Sequence, residues 1–325
     1  MGLLVDGRWF TDWYSPDKQG HFIRSRTQFR QRITKDGSSG FPPTPGRYHL
    51  YASLACPWAH RTLLLRELKG LSSIIGLSIV DPIMGDDGWQ FSNAPGTIPD
   101  TVNNARYLRE LYVKARPGIT SRVTVPVLWD KQTATIVNNE SREIMRMLDT
   151  EFETSDRADI SFLPPERVVE VDRAIDALYD AVNNGVYRAG FATTQQAYNE
   201  AIDALFAALD HYETVLSKRR YLLGDQITEA DWCLFTTLVR FDLVYHYHFK
   251  CTLRRLRDYP NLWGYTKELY QVTGVRTTCN FDHIKQHYFC SHPMINPTRI
   301  VPRGPDIDFE APHDRAVRFG PTSAR

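Results

Sequence analysis

The strongest constraint on this chain is a change of rhythm near residue 150. Upstream, apolar residues recur with period two in some stretches and period 3.6 in others; downstream, only the helical period survives. Residues 47–53 (RYHLYAS) alternate like a strand. Residues 57–68 carry Trp58, Leu64, Leu65 and Leu68 in a helical stretch that Gly70 ends, and 74–80 form an apolar run that reads as a buried strand. Residues 103–115 place Tyr107, Leu108, Leu111 and Tyr112 at helical spacing. The β-branched runs 123–129 and 134–137, split by Asp130-Lys131-Gln132-Thr133, read as a hairpin, and 140–149 begin a further helix. Strand, helix, strand, helix, strand, strand, helix predicts a mixed sheet covered by helices, an α/β domain.

Past a connector at 150–165 the second domain is predicted to be all-α. Its clearest helix carries Tyr198, Ala201, Ile202, Leu205, Phe206, Leu209, Tyr212 and Leu216 as one stripe. Thr228-Glu229-Ala230-Asp231 has the spacing of a capping box, with Ile227 and Trp232 at the flanking staple positions. The length, 325 residues, suits two domains of roughly 100–150 residues. We place them at 47–149 and 166–274. Residues 1–46 have no sustained period and read as an irregular arm with scattered aromatics (Trp9, Phe10, Trp13, Tyr14, Phe22, Phe29). From about 275 to 325 the period is lost again, in an extension and a polar tail.

The 39 Lys and Arg residues nearly balance 38 Asp and Glu, so no net field attracts a nucleic-acid backbone or an anionic lipid surface. No apolar run approaches 18 residues, and the start lacks the basic flank and apolar core of a signal peptide. The expected protein is therefore soluble and cytoplasmic. Its five cysteines, Cys56, Cys233, Cys251, Cys279 and Cys290, are odd in number and irregular in spacing, which is not a disulfide framework.

Cys56 differs from the other four. It falls between the first strand and the first helix, and Pro57 suits the first helical position, where a missing N–H costs nothing. Cys56 is thus expected at the N-cap, where free N–H groups and the positive end of the helix dipole favour thiolate over thiol. A dithiol oxidoreductase would carry a second cysteine three residues on; Ala59 stands there, so an external thiol must resolve any mixed disulfide. On Cys-Pro-x-x alone, a buried cysteine at a strand end reads equally well. Pro126, inside the run Val123-Thr124-Val125-Pro126-Val127-Leu128, marks an edge, a bulge or a cis bond.

Taken together, Cys56-Pro57-Trp58-Ala59-His60-Arg61, Gly88-Trp89, RVTVPVLW at 122–129, VNNES at 137–141, and Ser291-His292-Pro293 with Ile295-Asn296-Pro297 resemble the glutathionyl-hydroquinone reductases, also called Xi or omega-like glutathione transferases. The resemblance covers residues 1 to about 302. It implies a glutathione transferase fold, a thioredoxin-like domain followed by a helical one, in a homodimer. In such a sheet a cis proline leaves the preceding backbone free to pair with an extended, peptide-like thiol. The implied reaction is reductive deglutathionylation: Cys56 takes glutathione from a glutathionyl-hydroquinone, and a second glutathione then releases it as oxidised glutathione. By the same resemblance, Trp89, Arg122 and the backbone of Val125 contact glutathione, Glu140 and Ser141 hold its γ-glutamyl end, and Tyr187, Tyr245 and Tyr288 surround the aromatic substrate. No metal is implied.

Three other readings carry specific signatures. Cys279, His283, His287, Cys290 and His292 are metal-type residues, but their spacings fit no standard zinc pattern. A conjugating transferase needs a hydroxyl that stabilises a glutathione thiolate without bonding to it; a cysteine there tends to form a disulfide instead. A docking protein that reused the fold would be marked by loss of Cys56 or of the glutathione contacts, and the sequence keeps both.

Overall fold

The computed structural model describes residues 2–12, 14–153 and 160–320, which fall into two compact units. Trp13, part of the 150–165 connector and the last five residues of the tail lie outside the described residues. The first unit comprises Met1–Trp13, Arg24–Asp159 and Thr277–Val301; the second comprises Tyr14–Ile23, Ile160–Arg276 and Pro302–Arg325.

The arm is not wholly irregular. β1 (Gly2–Val5) and β2 (Arg8–Thr11) pair antiparallel across Asp6 and Gly7, both at positive φ, the geometry of a two-residue hairpin turn. Asp-Gly between two β-rich triplets is the local signal that could have found it. A side chain at Gly7 would also meet the carbonyl of Pro117 at 1.9 Å.

β3 (Tyr48–Ala52) is buried along its whole length because it is central. It pairs parallel with β4 (Gly76–Ile79) and antiparallel with β6 (Val127–Asp130), which pairs with β7 (Thr135–Asn138) to give the order β4-β3-β6-β7. Between β3 and β4 runs α1 (Pro57–Leu68), which packs on α3 (Ser141–Thr150); α2 (Leu108–Ala115) lies against β7. The run 123–129 is not one strand. Pro126, after a cis bond, has no N–H to give a ladder, and β6 starts at Val127, while β5 (Ser121–Arg122) joins the hairpin through β1.

The second unit contains α4 (Val168–Leu178), α5 (Gly185–Gly190), α6 (Gln195–Lys218), α7 (Glu229–Arg240), the one-turn α8 (His246–His248) and α9 (Pro260–Tyr270). All twelve residues of α7 are buried, and α4 and α9 both pack on it. Thr228 and Asp231 form the expected capping box at its start.

After residue 275 the structure departs from the expected loss of regular structure. α10 (Phe281–Ser291) begins at Asn280, whose side chain accepts the N–H of His283. Its helical pattern is hidden because buried histidines take the place of apolar residues. His283 and His287 are hydrogen-bonded to the carbonyls of Pro95 and Pro82. In the tail, α11 (Arg315–Phe319) is anchored by the fully buried Arg315. Among the described residues no helix is long and apolar enough to cross a membrane.

Candidate active site

Cys56 occupies the N-cap of α1 in extended conformation (φ −78°, ψ 122°), with Pro57 at the first helical position, and is half-buried. Its Sγ lies 3.8 Å from the carbonyl oxygen of Val125, the residue preceding cis-Pro126. Thiol and cis-proline loop, 69 residues apart in sequence, are therefore neighbours. The guanidinium carbons of Arg24 and Arg61 sit 4.7 and 4.6 Å from the centre of the ring of Trp58, the second residue of α1. The helix start favours an anion at Cys56.

The other cysteines have different surroundings. Cys233 and Cys251 are fully buried, and burial pushes the Cys251 thiol up. Burial also raises Cys290. Cys279 lies 3.8 Å from Nε2 of the buried His60, which is hydrogen-bonded to Thr278 at 2.8 Å. Among the described residues no group of three or more His, Cys, Asp or Glu side chains is arranged to hold a metal ion.

Of the residues named for glutathione, Trp89 is buried, and its indole stacks on His287 with centroids 4.8 Å apart at 20°. Arg122 donates to the backbone oxygen and the carboxylate of Asp12, both at 3.0 Å. It is not a solvated surface charge. Glu140 is the N-cap of α3 and Ser141 its first residue; Thr27 donates to the Glu140 carboxylate at 3.2 Å. The buried Arg61 lies 3.5 Å from Ser141 Oγ, so a cation faces the start of α3, an arrangement suited to an anion.

Tyr187 and Tyr245 come together in the second unit, with ring centroids 6.0 Å apart, in a cluster with Phe191 and Phe249. A π-helical turn, Tyr179–Asn183, precedes Tyr187, and another, Phe241–Tyr245, ends in Tyr245. Such turns are frequent at functional sites, although aromatic packing alone also accounts for both rings here. Tyr288 belongs to α10 of the first unit, edge-on to His287 and His292.

Sequence reasoning missed three neighbours of these groups. Asp12 carried no signal: it is one exposed carboxylate 110 residues from Arg122. His287 stood out as a metal-type residue and as the start of the His-Tyr-x-x-Ser-His-Pro segment, not as a support for Trp89, and Arg61 was visible only as the last letter of a motif.

Two glutathione S-transferase families match the chain, the N-terminal domain over residues 55–151 and the C-terminal domain over 195–268. The chain is 50% identical to glutathionyl-hydroquinone reductase YqjG of Escherichia coli K12, an alignment covering 98% of this chain and 100% of that protein. Among solved structures it resembles a Xi-class glutathione transferase from Natrialba magadii (TM-score 0.91, 52% identity, 98% of this chain and 97% of the other). It is also similar to the glutathione-bound structure of YqjG (TM-score 0.89, 47% identity, 98% and 100%).

Proposed function

The chain belongs to the Xi-class glutathione transferases, the glutathionyl-hydroquinone reductase family, and from that premise we propose that it reduces glutathionyl-hydroquinones to hydroquinones at the expense of glutathione. In the first step the Cys56 thiolate attacks the glutathione sulfur. The sulfur–aryl bond breaks, the aryl carbon takes a proton, and a Cys56-glutathione disulfide remains. In the second step a glutathione thiolate attacks the glutathione sulfur of that disulfide, which releases oxidised glutathione and regenerates the Cys56 thiolate. Two glutathionyl groups leave as one disulfide, and the hydroquinone leaves reduced.

Trp89, Arg122 and the Val125 backbone bind glutathione beside Cys56, and Glu140 and Ser141 hold its γ-glutamyl end at the start of α3. Tyr187, Tyr245 and Tyr288 receive the aromatic ring, their hydroxyls donating to the hydroquinone oxygens. Domain limits of 47–149 and 166–274, a homodimeric assembly and a cytoplasmic location complete the proposal. The observation that carries it is a cysteine at the N-cap of α1, 3.8 Å from the carbonyl before a cis proline, with alanine where a resolving thiol would stand.

The test compares the wild type with Cys56→Ser, on glutathionyl-hydroquinones and on chlorodinitrobenzene. Loss of reductase activity in the variant is the expected result. Reductase activity that survives removes Cys56 as the nucleophile. Mass spectrometry after incubation with oxidised glutathione should find one adduct, on Cys56; an adduct elsewhere with Cys56 unmodified favours a docking role for the fold.

A further inference from the structure

The proposed glutathione cradle has two halves on separate chain segments, the loop before cis-Pro126 and the start of α3. One buried hydroxyl joins them. Tyr112, on α2, is fully buried, and its OH donates to the Thr124 carbonyl at 2.8 Å while accepting the Thr124 N–H at 3.2 Å. It also accepts the side-chain N–H of Asn139 at 3.0 Å. A phenol hydroxyl offers one donor and two acceptor sites, and these three bonds use them all.

Both ends of the link abut site residues. Thr124 immediately precedes Val125 and the cis bond; Asn139 immediately precedes Glu140 and Ser141. The Asn139 amide cannot turn freely, because its Oδ1 accepts the Phe29 N–H at 3.1 Å, which leaves Nδ2 for Tyr112. Its own N–H donates to the Phe29 carbonyl at 3.1 Å, and the Phe29 ring meets Tyr112 edge-on at 5.7 Å. The sequence reading used Tyr112 only as one of four apolar positions on α2. Its hydroxyl instead does work that phenylalanine could not.

We infer that Tyr112 is a positioning residue for glutathione: through Thr124 and Asn139 it sets the spacing between the backbone edge that pairs with the cysteinyl part and the helix start that holds the γ-glutamyl carboxylate. This rests on the placement of glutathione proposed above. Tyr112 acts here through Thr124 and Asn139, not on the reacting sulfur, so its loss should weaken glutathione binding more than it slows turnover. Removing the hydroxyl while keeping the ring also separates this role from packing.

The experiment uses full-length protein and reduced glutathione. Tyr112→Phe should raise KM for glutathione about tenfold and leave kcat at saturating glutathione within about threefold. Calorimetric titration of glutathione into Cys56→Ser with and without Tyr112→Phe should give the same tenfold loss of affinity. Asn139→Ala, which removes one of the three bonds, serves as the second variant and should shift affinity the same way. Leu111→Val, next on α2, controls for stability: it should lower the melting temperature without moving KM. Unchanged affinity in both Tyr112→Phe and Asn139→Ala overturns the inference, as does a KM rise in Leu111→Val equal to theirs. If Glu140→Gln and Ser141→Ala also leave affinity untouched, the placement of glutathione fails, and the role of Tyr112 with it.

Discussion

His49 offers a quantitative test of the sheet that carries the candidate site. It lies on β3 opposite Gly76 of β4 and is buried. The Ser78 hydroxyl donates to the Pro99 carbonyl at 2.9 Å, so it accepts from His49 Nε2–H at 2.8 Å, which puts a proton on Nε2. The other nitrogen faces Gly76, where even a Cβ would come within 2.3 Å. Burial therefore lowers the pKa from 6.5 to about 4, against the pull of Asp100 and with smaller help from Lys131 and Arg66. The unfolded chain binds a proton near pH 6.5 and the folded chain does not until about pH 4, so the unfolded state holds more protons in this window. Stability must fall as pH drops through it, by roughly 1.4 kcal/mol per unit, or about 2 kcal/mol between pH 7.5 and pH 5.0. The assay is urea and thermal unfolding of wild type and His49→Gln at both pH values. The variant cannot titrate, so the wild type should lose about 2 kcal/mol, or about 4–8 °C, relative to it on acidification. A gap between the two proteins that stays constant with pH would refute a neutral, buried His49.

Removing the cap of α7 with Thr228→Ala should cost about 1 kcal/mol in chemical unfolding. Asp231→Ala should cost about 3 kcal/mol or more, because Leu222 N–H, Thr228 N–H and the Tyr265 hydroxyl all donate to that buried carboxylate; equal losses for the two variants would contradict the assignment. Arg315→Ala should cost about 3–5 kcal/mol and expose the segment 302–320 to limited proteolysis, since the buried guanidinium donates to the carbonyls of Leu216 and Arg219 and to Glu268. A tail that resists protease in the variant would show the anchor lies elsewhere. Neither step of the proposed cycle uses a metal ion, so dialysis against a chelator should leave reductase activity unchanged; activity lost and then restored by zinc would revive the 279–292 cluster as a metal site.

What could be read from the sequence was what local rules govern. Pro57 after Cys56 specifies a helix start within two residues, and α1 runs from Pro57 to Leu68 as the spacing predicts. The capping box at Thr228 is equally local. The cis bond at Pro126 was one of three local readings and the one that fits a thioredoxin-like sheet, but a strand that begins at Val127 and not at Val123 could not be read from the β-branched run. α10 escaped because His283 and His287 are buried by hydrogen bonding to distant carbonyls, and a periodicity scan scores them as polar. The hairpin at residues 2–11 was a signal overlooked: its Asp6-Gly7 turn is as explicit as any in the chain.

The pairing of site residues with their supports follows a pattern that no local rule could give. Arg122 is held by Asp12, Glu140 by Thr27 and Trp89 by His287. In these three cases the residue named for glutathione lies between 47 and 149 and its support comes from a terminal segment outside that range, whereas Ser141 faces Arg61 of α1 and Tyr112 of α2 holds Thr124 and Asn139. A guanidinium or indole that is to bind a charged ligand gains from being held in place, because a loose one loses in ordering entropy what it would gain on binding. A thioredoxin-like core of about 100 residues has few side chains to spare for that second layer. The first unit therefore draws residues 1–13, 24–46 and 277–301 into itself. Length that resembled an appendage in the sequence is, in the folded chain, the layer that keeps the candidate site in shape.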